Sequence, residues 1–134
     1  MSPSRSRPEF FVDRSLGRRV VPEALREAGW SLRTHSEVYG SRDEVVVDEE
    51  WLEFCGRDGL AVLTKDRRIR YRPAEIAAIR RHRVRAFVVV GRNLTASGQV
   101  ECLLTNSERI ESACSERGPF VYAVYANQIR RIFP

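Results

Sequence analysis

A chain of 134 residues, 43% hydrophobic and 31% charged, can bury a core without disulfide or metal staples and is composed as a globular domain rather than a disordered segment. No apolar run approaches the roughly 18–20 residues that span a bilayer, and the opening MSPSRSRPE has no apolar stretch behind its arginines, so residues 1–9 read as a loose tail instead of a secretory signal and the expected location is the cytoplasm. The net charge of +5 is segregated: Lys65–Arg85 carries nine Lys/Arg against Asp66 and Glu75, while Glu37–Glu53 carries seven acids and Arg42, which fits either a polyanionic partner at the basic part or a solvated helix face.

The first element is FFVD (Phe10–Asp13), a short apolar run ending in an acid. VVPEALREAGW then places Val21, Leu25 and Ala28 on one helical face, with Gly29 as its stop. Ser31–His35 is a weakly patterned second strand, followed by a polar loop, SEVYGSRDE. A helix starts at about Asp48, turning Trp51, Leu52 and Cys55 inward, and ends at Gly56 or Gly59. LAVLTKD is a continuous apolar run, as in a strand buried on both faces. RPAEIAAIRRHRV begins a helix at Pro73 and buries Ile76 and Ile79. Ala86–Gly91 is the clearest strand. After the turn-like RNLTASG, Val100, Leu103, Leu104, Ile110 and Cys114 recur at helical spacing as far as the break at Arg117-Gly118-Pro119. Phe120–Ala126 is a further strand, and NQIRRIFP is either a sixth strand or a docked tail.

This order, β-α-β-α-β-α-β-α-β, predicts an α/β protein: a mostly parallel sheet with helices on both faces, in one domain over residues 10–134. Cys55, Cys102 and Cys114 follow no CxxC spacing and read as buried, reduced thiols. His35 and His82 have no partner at HExxH spacing, and no serine sits in a GxSxG elbow.

Ligands of parallel sheets bind at the carboxyl ends of the strands, near the point where strand order reverses. Asp13 closes the first strand and Asp66 the third, so both project to that edge. Asp48, Glu49 and Glu50 begin the helix that feeds the third strand, and its N-terminus lies at the same edge. Carboxylates gathered this way repel one another unless protonated or paired with a cation. A hard divalent ion with oxygen ligands answers that need, and the cations beside it suit a phosphate backbone. Each acid also has a simpler reading: Asp48 as an N-cap, Asp66 as a turn cap or a partner of Arg67 or Arg68. Capping does not account for Asp13. Glu50 and Glu53 read as solvated helix-face charges, and Tyr71 as a partly buried aromatic or, less favoured, a stacking platform for a base.

The set FFVDRSLG, VVDEEWLEFC, GLAVLTKDRRIRYRP and FVVVGRNLT, over about Phe10 to Tyr125, resembles the small PIN-like domains of bacterial toxin–antitoxin systems, the VapC type, and within them the subgroup whose third strand ends Leu-Thr-Lys-Asp. The resemblance implies a Rossmann-like α/β/α sandwich and a ribonuclease dependent on Mg2+ or Mn2+. It implies three or four acids around the metal, here Asp13, Asp66 and Asp48, with Glu49 as rival for the helix-start position. The fourth acid of many such proteins follows the next strand, where this chain reads Gly91-Arg92-Asn93; that departure leaves Asn93 as a weaker oxygen ligand or a substrate contact. Lys65, Arg67, Arg68, Arg70 and Arg72 would hold the RNA backbone without reading sequence. An antitoxin that covers the site and self-association into a dimer are further implications. Two rivals share the pattern. One is a receiver-like phospho-acceptor domain, disfavoured because Arg14 follows Asp13 and no lysine follows the last strand. The other is a PIN-like RNA-binding module that has lost turnover.

Overall fold

The structure, a computed structural model, describes residues 7–91 and 94–134. Its strands are β1 (Glu9–Val12), β2 (Ser31–Thr34), β3 (Ala61–Thr64), β4 (Arg85–Val89), β5 (Phe120–Val124) and β6 (Ile129–Phe133). Its helices are α1 (Val20–Glu27), α2 (His35–Tyr39), α3 (Asp48–Asp58), α4 (Pro73–His82), α5 (Ala96–Thr105) and α6 (Ser107–Ala113). The strands form one sheet in the order β2-β1-β3-β4-β5-β6. All pairs are parallel except β5 with β6.

Near-continuous apolar strands arise because both faces of the sheet are covered. Phe10 and Val12 of β1, Ala61 and Leu63 of β3, and Phe87 and Val89 of β4 point into a layer with Val21 and Leu25 of α1, Leu103 of α5 and Ile110 of α6. The alternate residues Phe11, Val62, Ala86 and Val88 point into the opposite layer, against Trp51, Leu52 and Cys55 of α3 and Ala78 and Ile79 of α4. The period-2 alternation of strands thus builds the expected α/β/α sandwich with two cores. The three cysteines are free and buried within it.

The structure departs from the expected elements in two places and settles a third. Part of the polar loop after β2 is the short helix α2, whose start is fixed by a reciprocal capping box: Glu37 N–H donates to Thr34 Oγ1 at 3.1 Å and Thr34 N–H to Glu37 Oε1 at 2.9 Å. The long C-terminal helix is two helices, because the buried Asn106 turns its side-chain amide to the carbonyls of Cys102 (2.8 Å) and Tyr125 (2.7 Å). The C-terminal segment resolves to the strand alternative, β6, which covers the edge of β5.

α3 and α4 pack at Gly56, where a Cβ would stand 2.4 Å from the His82 carbonyl oxygen and 2.6 Å from His82 Cβ. No side chain fits there, and this contact sets the spacing of the two helices whose N-termini reach the carboxyl edge. Gly56→Ala is expected to cost about 1–3 kcal/mol by overpacking, read as a lowered urea midpoint at unchanged slope. A midpoint equal to wild type would show that the helices separate freely.

Candidate active site at the carboxyl edge

Strand order reverses between β1 and β3: the chain goes from β1 outward to β2, then returns to the other side of β1. Asp13 lies one residue past β1 and extends its pairing with β3, donating its N–H to the Leu63 carbonyl at 2.9 Å. It precedes a 3-10 turn, Arg14–Leu16, but its side chain does not cap that turn. Instead Oδ2 accepts from Ser15 Oγ and from Thr64 Oγ1, both at 2.8 Å. Each hydroxyl has one proton and gives it to Asp13. Each then accepts a backbone N–H, Ser15 Oγ from Lys65 at 3.0 Å and Thr64 Oγ1 from Asp66 at 3.1 Å. A buried carboxyl needs such partners, and here they lock the end of β1 to the chain leaving β3.

Asp66 does cap the 3-10 turn Arg67–Arg70: Oδ1 accepts from the Arg68 N–H and from Arg68 Nε, both at 3.0 Å. Burial pushes its carboxyl up, but the Arg68 hydrogen bonds and the charges of Arg68 and Arg72 outweigh that and hold it below the ordinary aspartate value. Asp48 is the first residue of α3, not its cap. Its Oδ1 accepts from Trp51 Nε1 at 2.9 Å, and its charge is favourable at the helix N-terminus. Glu49 next to it is exposed and lines a cleft with Ala74, Ala77 and Arg81 between α3 and α4.

One guanidinium joins three of the acids. Arg72 Nη1 stands 2.9 Å from Glu75 Oε1, 3.4 Å from Asp66 Oδ2 and 3.5 Å from Asp48 Oδ2. Glu75, in the first turn of α4, has a side chain only 7% exposed. Burial and a hydrogen bond with Asp48 push its carboxyl up to about 7, against the pull of Arg72. The donor chemistry, carboxyl oxygens from separate segments, fits a hard divalent ion. In this arrangement, however, no three Asp, Glu, His or Cys side chains among the described residues stand together as a metal site.

Of the basic segment, Arg68 and Arg72 are engaged with acids. Lys65 and Arg67 have no ion pair among the described residues and flank a recess with Val89, Val90, Leu94 and Gln99. The favoured reading of Tyr71 as partly buried is corrected: it is 63% exposed, with the Arg70 guanidinium 4.5 Å from its ring centre. Ile69 takes the buried position of the preceding 3-10 turn, and Tyr71 is left on the rim between Arg70 and Arg72. Glu50 and Glu53 are paired with Arg42 (3.0 Å) and His82 (3.8 Å). Val20, Val45 and Val47, also exposed, stand at or just before helix starts on the same edge. Asn93 lies outside the described residues.

Sequence reasoning missed Glu75, Ser15 and Thr64. For Glu75 the signal was available, since α4 follows β3 and so begins at the carboxyl edge, the argument that selected Asp48. The hydroxyls carry no spacing signal. A second buried polar group went unread as well: His35 Nδ1 lies 2.5 Å from Asp43 Oδ1, and Arg18 donates to Asp43 Oδ2 at 3.0 Å.

A family model described as a PIN-like domain matches residues 8–91, a span that takes in Asp13, Asp48, Asp66 and Glu75. A protein of Mycobacterium tuberculosis (strain ATCC 25618 / H37Rv) named "Putative ribonuclease VapC45" is 32% identical over 124 residues, covering 92% of this chain and 90% of that protein. No solved structure gives a significant match. The parallel sheet, the acids at its switch point and these two likenesses agree, and the chain belongs to the PIN-like domain family, of the VapC type.

Proposed function

We propose that the protein is a metal-dependent endoribonuclease, the toxin of a toxin–antitoxin pair, hydrolysing RNA phosphodiester bonds. The observation that carries this reading is the tie between Asp13 and the Asp66 backbone through Thr64 Oγ1 at the strand switch point. The ribonuclease name of the relative supports it. Asp13, Asp48 and Asp66 are the residues that would hold Mg2+ or Mn2+, with Asp48 preferred over Glu49 because it faces Arg72 and Glu75. When bound, such an ion supplies an activated water and offsets charge building on the phosphate.

The protein's own side chains do the rest. Ser15 and Thr64 fix the rotamer of Asp13, and Arg68 keeps Asp66 ionised and oriented. Lys65 and Arg67, free of ion pairs among the described residues, hold the RNA backbone. The exposed Tyr71, backed by Arg70, offers a face for a base, and Asn93 is retained as a substrate contact. An antitoxin would cover this edge, where Val20, Val45 and Val47 are exposed; a homodimer is the further family expectation. No described helix is long and apolar enough to cross a membrane. One observation favours a non-catalytic RNA-binding module instead, namely that the described acids do not stand as a metal site.

Incubation with structured RNA separates the two. Cleavage is expected with Mn2+, none with EDTA, and a loss of about a hundredfold or more in Asp13→Asn and in Asp66→Asn, the size that loss of a positioned charged group costs. RNA binding without cleavage, unchanged in both variants, would favour the binding module. Lys65→Glu and Arg67→Glu are each expected to weaken RNA binding evenly across sequences and to lower the salt slope by about one; an unchanged slope would remove them from the interface.

Glu75 gives a pH test in metal-free protein. Its folded value of about 7 lies above the ordinary 4.5, so the folded state binds the extra proton between those values. The stability it contributes is full below 4.5 and is lost as pH rises through 7. Glu75→Gln, which cannot ionise, is expected to gain urea midpoint over wild type from pH 5 to about pH 7 and to level off towards pH 8. Parallel midpoints across that range would disprove the shift.

A further inference from the structure

Arg72 stands apart from the other cations of its segment. Lys65 and Arg67 face the rim without ion pairs among the described residues, and Arg68 meets Asp66 only. Arg72 Nη1 meets Glu75, Asp66 and Asp48 within 3.5 Å, acids from α4, from the turn after β3 and from the start of α3. Its backbone is held by its N–H bond to the Arg68 carbonyl, 3.1 Å, and by Pro73 behind it. Its side chain is 37% exposed, so it can leave for solvent without opening the core. Arg72 brings one positive charge to these acids, whereas a divalent ion brings two and prefers the same oxygens.

We propose that Arg72, anchored by Glu75, is a built-in counter-ion that competes with the metal ion for Asp48 and Asp66. With the guanidinium among them, these carboxylates are held in place and the metal is kept out. With the guanidinium turned out to the rim beside Lys65 and Arg67, they are free to take the ion. This rests on the reading of the site as a metal site. It adds that the apparent metal affinity of the wild-type chain is reduced by the fraction of molecules in which Arg72 is in place.

The test is Mn2+ binding to the full metal-free chain, followed by the loss of the free Mn2+ electron paramagnetic resonance signal, for wild type, Arg72→Gln and Arg67→Gln. Both substitutions remove one positive charge from the same segment, but only Arg72 touches the acids. Arg72→Gln is expected to bind Mn2+ at least about fivefold more tightly than wild type, the lower end of coupling between linked sites, and Arg67→Gln to change it by less than half as much. Equal tightening in the two variants would reduce the effect to general electrostatics and overturn the proposal. So would unchanged or weaker binding in Arg72→Gln, or no binding in any chain. Should Arg72→Gln fail to fold, the wild type decides the matter: the Arg72 side-chain Nε–H resonance should move on addition of Mg2+, and a resonance that stays fixed while Mg2+ binds overturns the proposal. Neither readout uses RNA. Mn2+ binding without RNA cleavage would sink the nuclease reading and leave the counter-ion standing.

Discussion

Carboxyl groups brought to one edge of a parallel sheet must each be given a reason to stay there, because like charges at short range oppose the folding that gathers them. This protein meets that constraint in two different ways. Asp13 is held by neutral donors, the hydroxyls of Ser15 and Thr64, inside the switch point. Asp48, Asp66 and Glu75 are held by a cation, Arg72. The backbone N–H of Asp66 on Thr64 Oγ1 joins the halves. Sheet topology, the start of α3 and the first turn of α4 all converge on this small volume, and the tight α3–α4 contact at Gly56 keeps the last two in step.

Where sequence reading succeeded, one physical signal dominated. Continuous apolar runs such as Leu60–Leu63 and Ala86–Val90 have few other outcomes than doubly covered strands, and once α and β alternate, the edge that gathers Asp13, Asp48 and Asp66 follows from chain direction. It failed where a single buried polar side chain overrides periodicity. Asn106 interrupts an apolar helical pattern because its amide reaches Tyr125 in a distant turn, a contact no local window contains. The short helix α2 depends on Thr34 and Glu37 capping each other; that pair was present in the sequence, but the helix is only five residues long, too few to show a helical period.

The basic segment shows another limit. Composition leaves Lys65–Arg72 open between a polyanion rim and a solvated face, and its cations divide among three tasks once folded: Arg68 and Arg72 serve acids, Arg70 lies over Tyr71, and Lys65 and Arg67 remain outward. Charge counts cannot make that division, because it depends on which residues of a 3-10 turn point back toward the site. Glu75 is the complementary case. Among nine cations it entered only the charge count, and its burial in the first turn of α4 shows only in the fold.

The antiparallel β6 has a practical consequence. Because it runs against the other strands, Phe133 pairs beside Val121, at the amino edge of the sheet, where β1 also begins at Glu9. Both described ends of the chain therefore lie on the side away from Asp13 and Arg72. A surface tether attached at either described end would stand away from the carboxyl edge and leave that edge facing solution.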